Sequence, residues 1–332
     1  MAEYPGTIDA FAAIGDREDL ADVIYLLKPT EVPLLSSSSR SDGTGTKHEW
    51  QRDQLAAADV TNLQIEGDDA PAGTSFTPTE RDGNYMGISR KVIVVSGTQE
   101  VVLKAGRSSE VNYQTAKRGL ELKRDVEAIA SQNGVASATG GKRTPGGFES
   151  WMLAQSDVGT AGPSPANRGT GGLPAGPLAG GLPTVAPTDG TLRNFDEDIF
   201  KNVLQNVYTL GGHTNLAIAP PKMKQRMSGF SGKETTLATS ITKYNDIEER
   251  RLVAAIDIYV SDFGTINLQP SRFCRTRVVL VIDTEYIAFS WLRPFQTRPL
   301  ADTGDAIRRL MICEWTLEMR EARAHAICAD LQ

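Results

Sequence analysis

Histidine and cysteine are scarce in this chain, with three of each among 332 residues. His48, His213 and His325 lie far apart, and none has a neighbouring ligand pattern, so a zinc site or a Ser-His-Asp set would have to be assembled wholly by the fold. Cys274, Cys313 and Cys328 form no C-x-x-C pair; an odd number in or near apolar segments reads as buried free thiols in a reducing compartment. An excess of basic residues is also missing. The 35 Lys and Arg against 41 Asp and Glu leave a net charge of −6, which argues against a surface built to neutralise phosphates. No apolar run approaches the ~20 residues that cross a membrane. The stretch Met1 to Gly6 has neither a basic n-region nor an apolar h-region, so the chain is expected to be made and kept in a cytoplasm.

Phosphate cradles are absent too. Gly141-Lys142 and Gly232-Lys233 lack the earlier glycine of a P-loop, because Ala136 and Met227 stand there, and Gly169-Thr170-Gly171 meets Pro174 where a dinucleotide fingerprint requires glycine. Asp196-Glu197-Asp198 reads as favourable charge at a helix N-terminus, and Asp68-Asp69 as a solvated turn. Trp50, Trp151, Trp291 and Trp315 read as core or interface anchors, since no basic residues interleave with them consistently. Neither a cofactor nor a metal is expected, and no catalytic set is recognisable.

What the chain does have is β-patterning over residues 256 to 319. Ile256, Ile258 and Val260 alternate with polar partners, and Ile266 and Leu268 resume after a short link, which predicts a hairpin. Met311, Cys313, Trp315, Leu317 and Met319 share one parity while Glu314, Thr316, Glu318 and Arg320 share the other, which predicts one buried and one wet face. Val278 to Ile282 is apolar on both parities, as a strand covered on both sides must be.

Upstream, the chain is poor in core. Residues 1 to 38 offer one amphipathic stripe, Leu20, Val23, Ile24 and Leu27, on a helix capped by Asp16 and ended by Lys28-Pro29, with extended chain through Ser39. Such a stripe needs a partner. Lys47 to Asp53 and Gly87 to Val95 read as extended arms of a long ribbon whose middle, including Arg81-Asp82-Gly83-Asn84, is rich in turn residues. Ser109 to Gln132 is the strongest helix, with Ser109 as N-cap, Leu122, Val126, Ile129 and Ala130 inward, Glu127 wet, and Asn133-Gly134 as a left-handed cap. Residues 159 to 190 hold nine glycines and six prolines, too little apolar content to offset the entropy of ordering, and read as a surface loop. Beyond them, a helix with an Asn194/Glu197 capping box stops at Gly211-Gly212. A strand at Leu216 to Ala219 and a helix begun by Pro220-Pro221 complete a compact α+β unit with the later strands.

An arm, a ribbon and a long helix suit a tile held by its neighbours better than an enzyme. Glu49-Trp50-Gln51, Gly87 to Val92 leading to Val95-Ser96-Gly97-Thr98-Gln99, Glu121 to Glu127, Gly211-Gly212, Ser261 to Gly264, Leu292-Arg293-Pro294-Phe295 and Thr303-Gly304-Asp305 together resemble the major capsid, or major head, proteins of tailed bacteriophages of the Hong Kong 97 type. The matches run in order from about Pro29 to Ala324.

The resemblance implies an α+β Hong Kong 97-like capsid fold. Its parts would be an N-terminal arm over 1–38, an extended β-hairpin loop over 39–101, a peripheral domain over 102–193 with a spine helix at 109–132, an axial α+β domain over 194–300, and a returning strand of the peripheral domain over 301–332. It implies a structural protein that assembles as pentamers and hexamers into an icosahedral or prolate head around double-stranded DNA. Contacts between copies are expected at Leu20, Val23 and Ile24 of the arm and at Trp50, Arg52, Arg81 and Arg90 of the loop. The implied partners are the chain itself, a portal, separate scaffolding or decoration proteins, and packaged double-stranded DNA bound non-specifically, with no membrane; the location is the virion, after assembly in the host cytoplasm. Some shells of this fold carry a lysine-asparagine crosslink; Lys47 and Lys91 sit in no matching motif, so none is expected. The alternative is a minor head, tail or decoration protein, which copy number per particle separates; an enzyme with a fold-assembled site is the third reading.

Overall fold

The computed structural model describes residues 24, 26, 29–63, 65–67, 78–152, 181–230, 256–301 and 304–332. The helices are α1 (Pro33–Ser37), α2 (Gly97–Val101), α3 (Glu110–Ala130), α4 (Glu197–Thr209) and α5 (Pro221–Met227). The strands are β1 (Ser39–Asp42), β2 (Lys47–Arg52), β3 (Glu80–Tyr85), β4 (Gly87–Ser96), β5 (Leu216–Ala219), β6 (Ile258–Ser261), β7 (Gly264–Pro270), β8 (Val279–Ile282), β9 (Ile287–Pro299), β10 (Ala306–Met319) and β11 (Ala326–Cys328). They pair as a four-stranded sheet in the order β1-β9-β10-β4, a five-stranded sheet in the order β11-β8-β5-β7-β6, and the hairpin β2-β3.

The four-stranded sheet carries α3 on one face. Ile93 and Val95 of β4 form a small cluster with Val111 of α3, and Met311 of β10 lies against Gly119. Ser109 caps the helix as the sequence predicts, its Oγ accepting from the Asn112 N–H at 3.2 Å. The other end differs. The helix stops at Ala130, Ser131 is right-handed, and Gly134 has no positive φ. The pair is used elsewhere: the Asn133 side chain donates to the Pro187 carbonyl, and the Gly134 carbonyl accepts from Gly147. The buried stripe is also turned, with Glu127 inside and Ile129 41% exposed.

The strand signals hold best where both faces are apolar. On β8, Leu280 and Ile282 enter the large core with Leu122, Val126 and Trp151, while Val279 and Val281 enter a second core with Phe200, Val203 and Met223. Likewise, Leu216 and Ile218 of β5 face the first core, and Ala217 and Ala219 the second. One sheet therefore divides two cores. Gly211, at φ 92°, ends α4 as expected, and Pro221 opens α5.

Several local expectations fail for tertiary reasons. Glu314, Thr316 and Glu318 are buried, so β10 has no wet face from Met311 to Met319. In the β6–β7 hairpin Tyr259 points inward opposite Ile266, against Phe200, while Ile258 and Val260 are 56% and 75% exposed. Arg81 to Asn84 lies within β3, not in a turn. The Asn194/Glu197 box is absent: Asp196 is the N-cap without a side-chain bond, because Glu197 instead accepts from Tyr259 Oη at 2.9 Å and pairs with Lys201. Pro33 to Ser37, expected extended, is a helical turn begun by proline, with the Ser37 and Ser38 hydroxyls donating back to Pro33 and Leu34 carbonyls. The boundary expected at residue 300 falls inside the β9–β10 pairing, and β11 pairs with β8 of the five-stranded sheet.

Candidate assembly surfaces

The β2–β3 hairpin is bolted to the body at its base. Asn84 is fully buried; its Nδ2 donates to the carbonyls of Leu317 at 2.9 Å and Gly146 at 3.2 Å, and its Oδ1 accepts from the Gly146 N–H at 2.8 Å. Arg52, also buried, pairs with Asp82 at 2.7 Å, with Glu80 and, at 3.8 Å, with Glu321. Burial raises the Asp82 carboxyl above its ordinary value despite the guanidinium beside it. Trp50 lies 5.4 Å from Trp151, between ring centroids, at the rim of the large core.

The buried polar side of β10 is what receives this base. Glu318 accepts from Ser41, from His48 at 3.1 Å and from Arg320 at 3.0 Å; burial alone would raise its pKa, but these bonds hold it at about 2. Glu314 is clamped by Arg143 and by Arg293, the latter at 2.7 Å. A strand that reads as half wet is thus covered on its polar side by cations and by the hairpin.

The arm's root is fixed in a similar way. Glu127 is fully buried on α3, and its two carboxylate oxygens accept from the N–H groups of Leu34 at 2.9 Å and Leu35 at 2.8 Å. Burial pushes its pKa up to about 7 against the pull of these donors. Leu34 itself sits in the large core, and Glu31 pairs with Arg272 at 3.1 Å.

Past the hairpin base, apolar side chains among the described residues stand in water. Leu55, Val60, Leu63 and Ile65 are 81–99% exposed. A monomer gains nothing from four such side chains in water. Val92 and Val94 of β4 and Val101 and Leu103 beyond it are exposed as well.

Of the expected contact residues, Leu20 and Val23 lie outside the described residues, and Ile24 is half-buried and not helical. Trp50 and Arg52 are turned into their own subunit, Arg81 is 68% exposed with Glu49 at 3.9 Å, and Arg90 is exposed on β4. Sequence reasoning missed Leu55, Val60, Leu63 and Ile65, whose signal was apolar residues in a segment without periodicity. It also missed Glu127, Asn84 and Glu318, which carry no local signal at all.

Among the described residues no group of three His, Cys, Asp or Glu is placed to hold a metal ion. His325 is buried, accepts from the Asp283 N–H, and burial drops its pKa to about 4. Burial pushes the thiols of Cys274 and Cys313 up to about 12. No helix among the described residues is long and apolar enough to cross a membrane.

Comparison with known proteins agrees in kind. The family model described as SU10 major capsid protein matches residues 6–332. The major capsid protein of Escherichia phage Phieco32 is 36% identical over 115 residues, 35% of this chain; the match spans about a third, 32%, of that relative. Among solved structures, the capsid of a native GTA particle superposes with a TM-score of 0.59 at 12% identity, covering 97% of this chain and 98% of that one. The cyanophage A-1(L) capsid gives 0.58 at 12% identity, with the same coverage. Mycobacterium phage Cain gives 0.57 at 10% identity, over 98% and 99%. At these identities the likeness is one of fold.

Proposed function

From the premise that this chain belongs to the SU10 major capsid protein family, we propose how it builds a shell. It is a major capsid protein of a tailed phage, a component of the virion, with a Hong Kong 97-like α+β fold. Copies assemble as pentamers and hexamers, which tile an icosahedral or prolate head around double-stranded DNA. Residues 1–38 act as the arm, and within 39–101 the part past the base of the β2–β3 hairpin acts as the extended loop that lies against a neighbouring copy; α3 is the spine of the peripheral region, and the five-stranded sheet with α4 and α5 is the axial one. Assembly takes place in the host cytoplasm with a portal and separate scaffolding or decoration proteins. The DNA is confined rather than read, which suits a chain of net charge −6.

The exposure of Leu55, Val60, Leu63 and Ile65 carries this reading. Burial of such a side chain contributes on the order of 2 kcal/mol before ordering costs. One contact of that size is weak, but a closed shell repeats it in every copy, so the contacts reinforce one another. Electron microscopy of the purified chain and of infected-cell lysate tests the proposal. Capsomers or shells are expected; monomers alone under all assembly conditions would refute it.

A further inference from the structure

α1 is a short turn between the arm and β1, and its first end has no cap of its own. Val32 offers no side-chain acceptor and Pro33 has no N–H, so the amides of Leu34 and Leu35 need a partner from outside the turn. One group supplies both: the Glu127 carboxyl of α3, at 2.9 and 2.8 Å. Leu34 and Glu127 are completely buried, and Leu35 packs against the same core. Upstream, the pair of Glu31 with Arg272 stands in water and holds little. Downstream, Ser39 to Asp42 is fixed to β9. The arm is therefore seated by two leucines and one buried carboxyl.

Among the described residues no cation is paired with that carboxyl. α1 carries no titratable side chain. On α3, Arg124 lies over the Phe273 ring at 5.5 Å, Asp125 is paired with Lys91 at 2.6 Å, and Lys123 is exposed. In the segment after β7, Arg275 is held by Glu149 and Asp189, and the buried Cys274 thiol lies in the field of both Glu127 and Glu149. On β10 the buried Cys313 thiol lies in the field of Asp125.

Protonation of Glu127 has two opposed effects. The protonated oxygen is a poorer acceptor for its N–H group, but a buried charge without a counter-ion disappears. The second effect is larger, and burial pushes the pKa up to about 7. Once the turn lifts off, the carboxyl meets water and returns to its ordinary 4.5. The seated state holds the proton more tightly, so seating is strongest in acid and weakens as pH rises from about 4.5 to about 7.

We propose that Glu127 is a proton-operated latch on the root of the arm. With the carboxyl protonated, α1 stays seated on α3. With it ionised, α1 lifts off and the chain before it is released, hinged at Ser38 where the turn gives way to extended backbone. Every contact of the latch lies within one copy. Its consequence in a shell, an arm held in one direction in acid and freed above neutral pH, rests on the shell reading.

Hydrogen exchange of the unassembled full-length chain tests the latch, with each rate taken relative to an unstructured peptide at the same pH. The Leu34 and Leu35 amides should open about tenfold more often at pH 8 than at pH 6, a ratio set by the seated and free values of Glu127. They should also open more often than the amides of β8, and independently of low denaturant, which marks a local event. Glu127→Gln keeps an acceptor for one N–H group and cannot titrate, so its ratio should be near one. Leu34→Ala keeps the carboxyl and loosens the seat; it should open more often at both pH values with the tenfold ratio retained, and it serves if Glu127→Gln does not fold. A wild-type ratio near one, a tenfold ratio that survives in Glu127→Gln or vanishes in Leu34→Ala, or arm-root amides that open only together with β8 overturns the latch. Such a failure leaves the shell reading in place. Absence of shells from the wild-type chain under all assembly conditions sinks that reading and leaves the latch.

Discussion

Glu127 is the residue whose role is least visible in its surroundings in sequence. Between Val126 and Ala128 on a helix with wet neighbours, it reads as solvated, yet it is the acceptor that pins α1. Its ordinary pKa of 4.5 rises to about 7 in the fold, so between these values the folded chain holds more protons than the unfolded one. Stability therefore falls as pH climbs from about 4.5 to about 7. Glu127→Gln should flatten that slope, with a difference of about 3 kcal/mol between pH 5 and 8 as its upper bound. Glu149, whose pKa burial also raises to about 7, leaves a second slope of the same sign. Denaturant melts of both chains at the two pH values measure this, and parallel curves would refute it. Asn84 makes a complementary case without charge. Asn84→Ala removes the partner of two carbonyls and of the Gly146 and Tyr85 N–H groups, and should cost about 2–4 kcal/mol by thermal melt.

At the scale of elements, α3 is the piece on which the most depends. It presents Leu122, Val126 and Ala130 to the large core, Val111 to β4 and Glu127 to the arm. Val126→Pro removes a helical hydrogen bond and drives its ring into the preceding turn, so a loss of about 3 kcal/mol or more is expected, seen as a lower helical signal and a lower melting point. Elements were legible where their own residues decided them: β8 by apolar side chains on both faces, α4 by Phe200, Val203, Leu204 and Val207 with Gly211 behind them. β3 was not legible, because Glu80 to Tyr85 is polar and glycine-containing. It is a strand because β2 pairs with it and because Arg52 and β10 satisfy its buried Asp82 and Asn84.

For the whole molecule, the contrast is between a body with two continuous cores and a loop that leaves it. Segment 53–67 in a lone copy should be open to proteolysis, and protected in the shell. Trypsin has no cleavage site from residue 53 to residue 79, so chymotrypsin, acting after Leu55 or Leu63, is the suitable probe. Rapid cutting in dilute solution and slow cutting in assembled particles is the expected pair of results; resistance in the lone copy would mean that the loop buries itself and has no need of a neighbour.

By itself, the sequence determined the inventory: a long helix with its N-cap, strands apolar on both faces, and a glycine stop. These follow from periodicity and composition, which act over a few residues. Tertiary structure alone decided which polar residues of β10 are dry, where Glu127 points, that β9 joins β10 while β11 crosses to β8, and which face of the four-stranded sheet stays open. Each of those depends on groups far apart in the chain, Glu127 with Leu34 or Asn84 with Leu317, and burial is set by what packs on a residue, not by the residue.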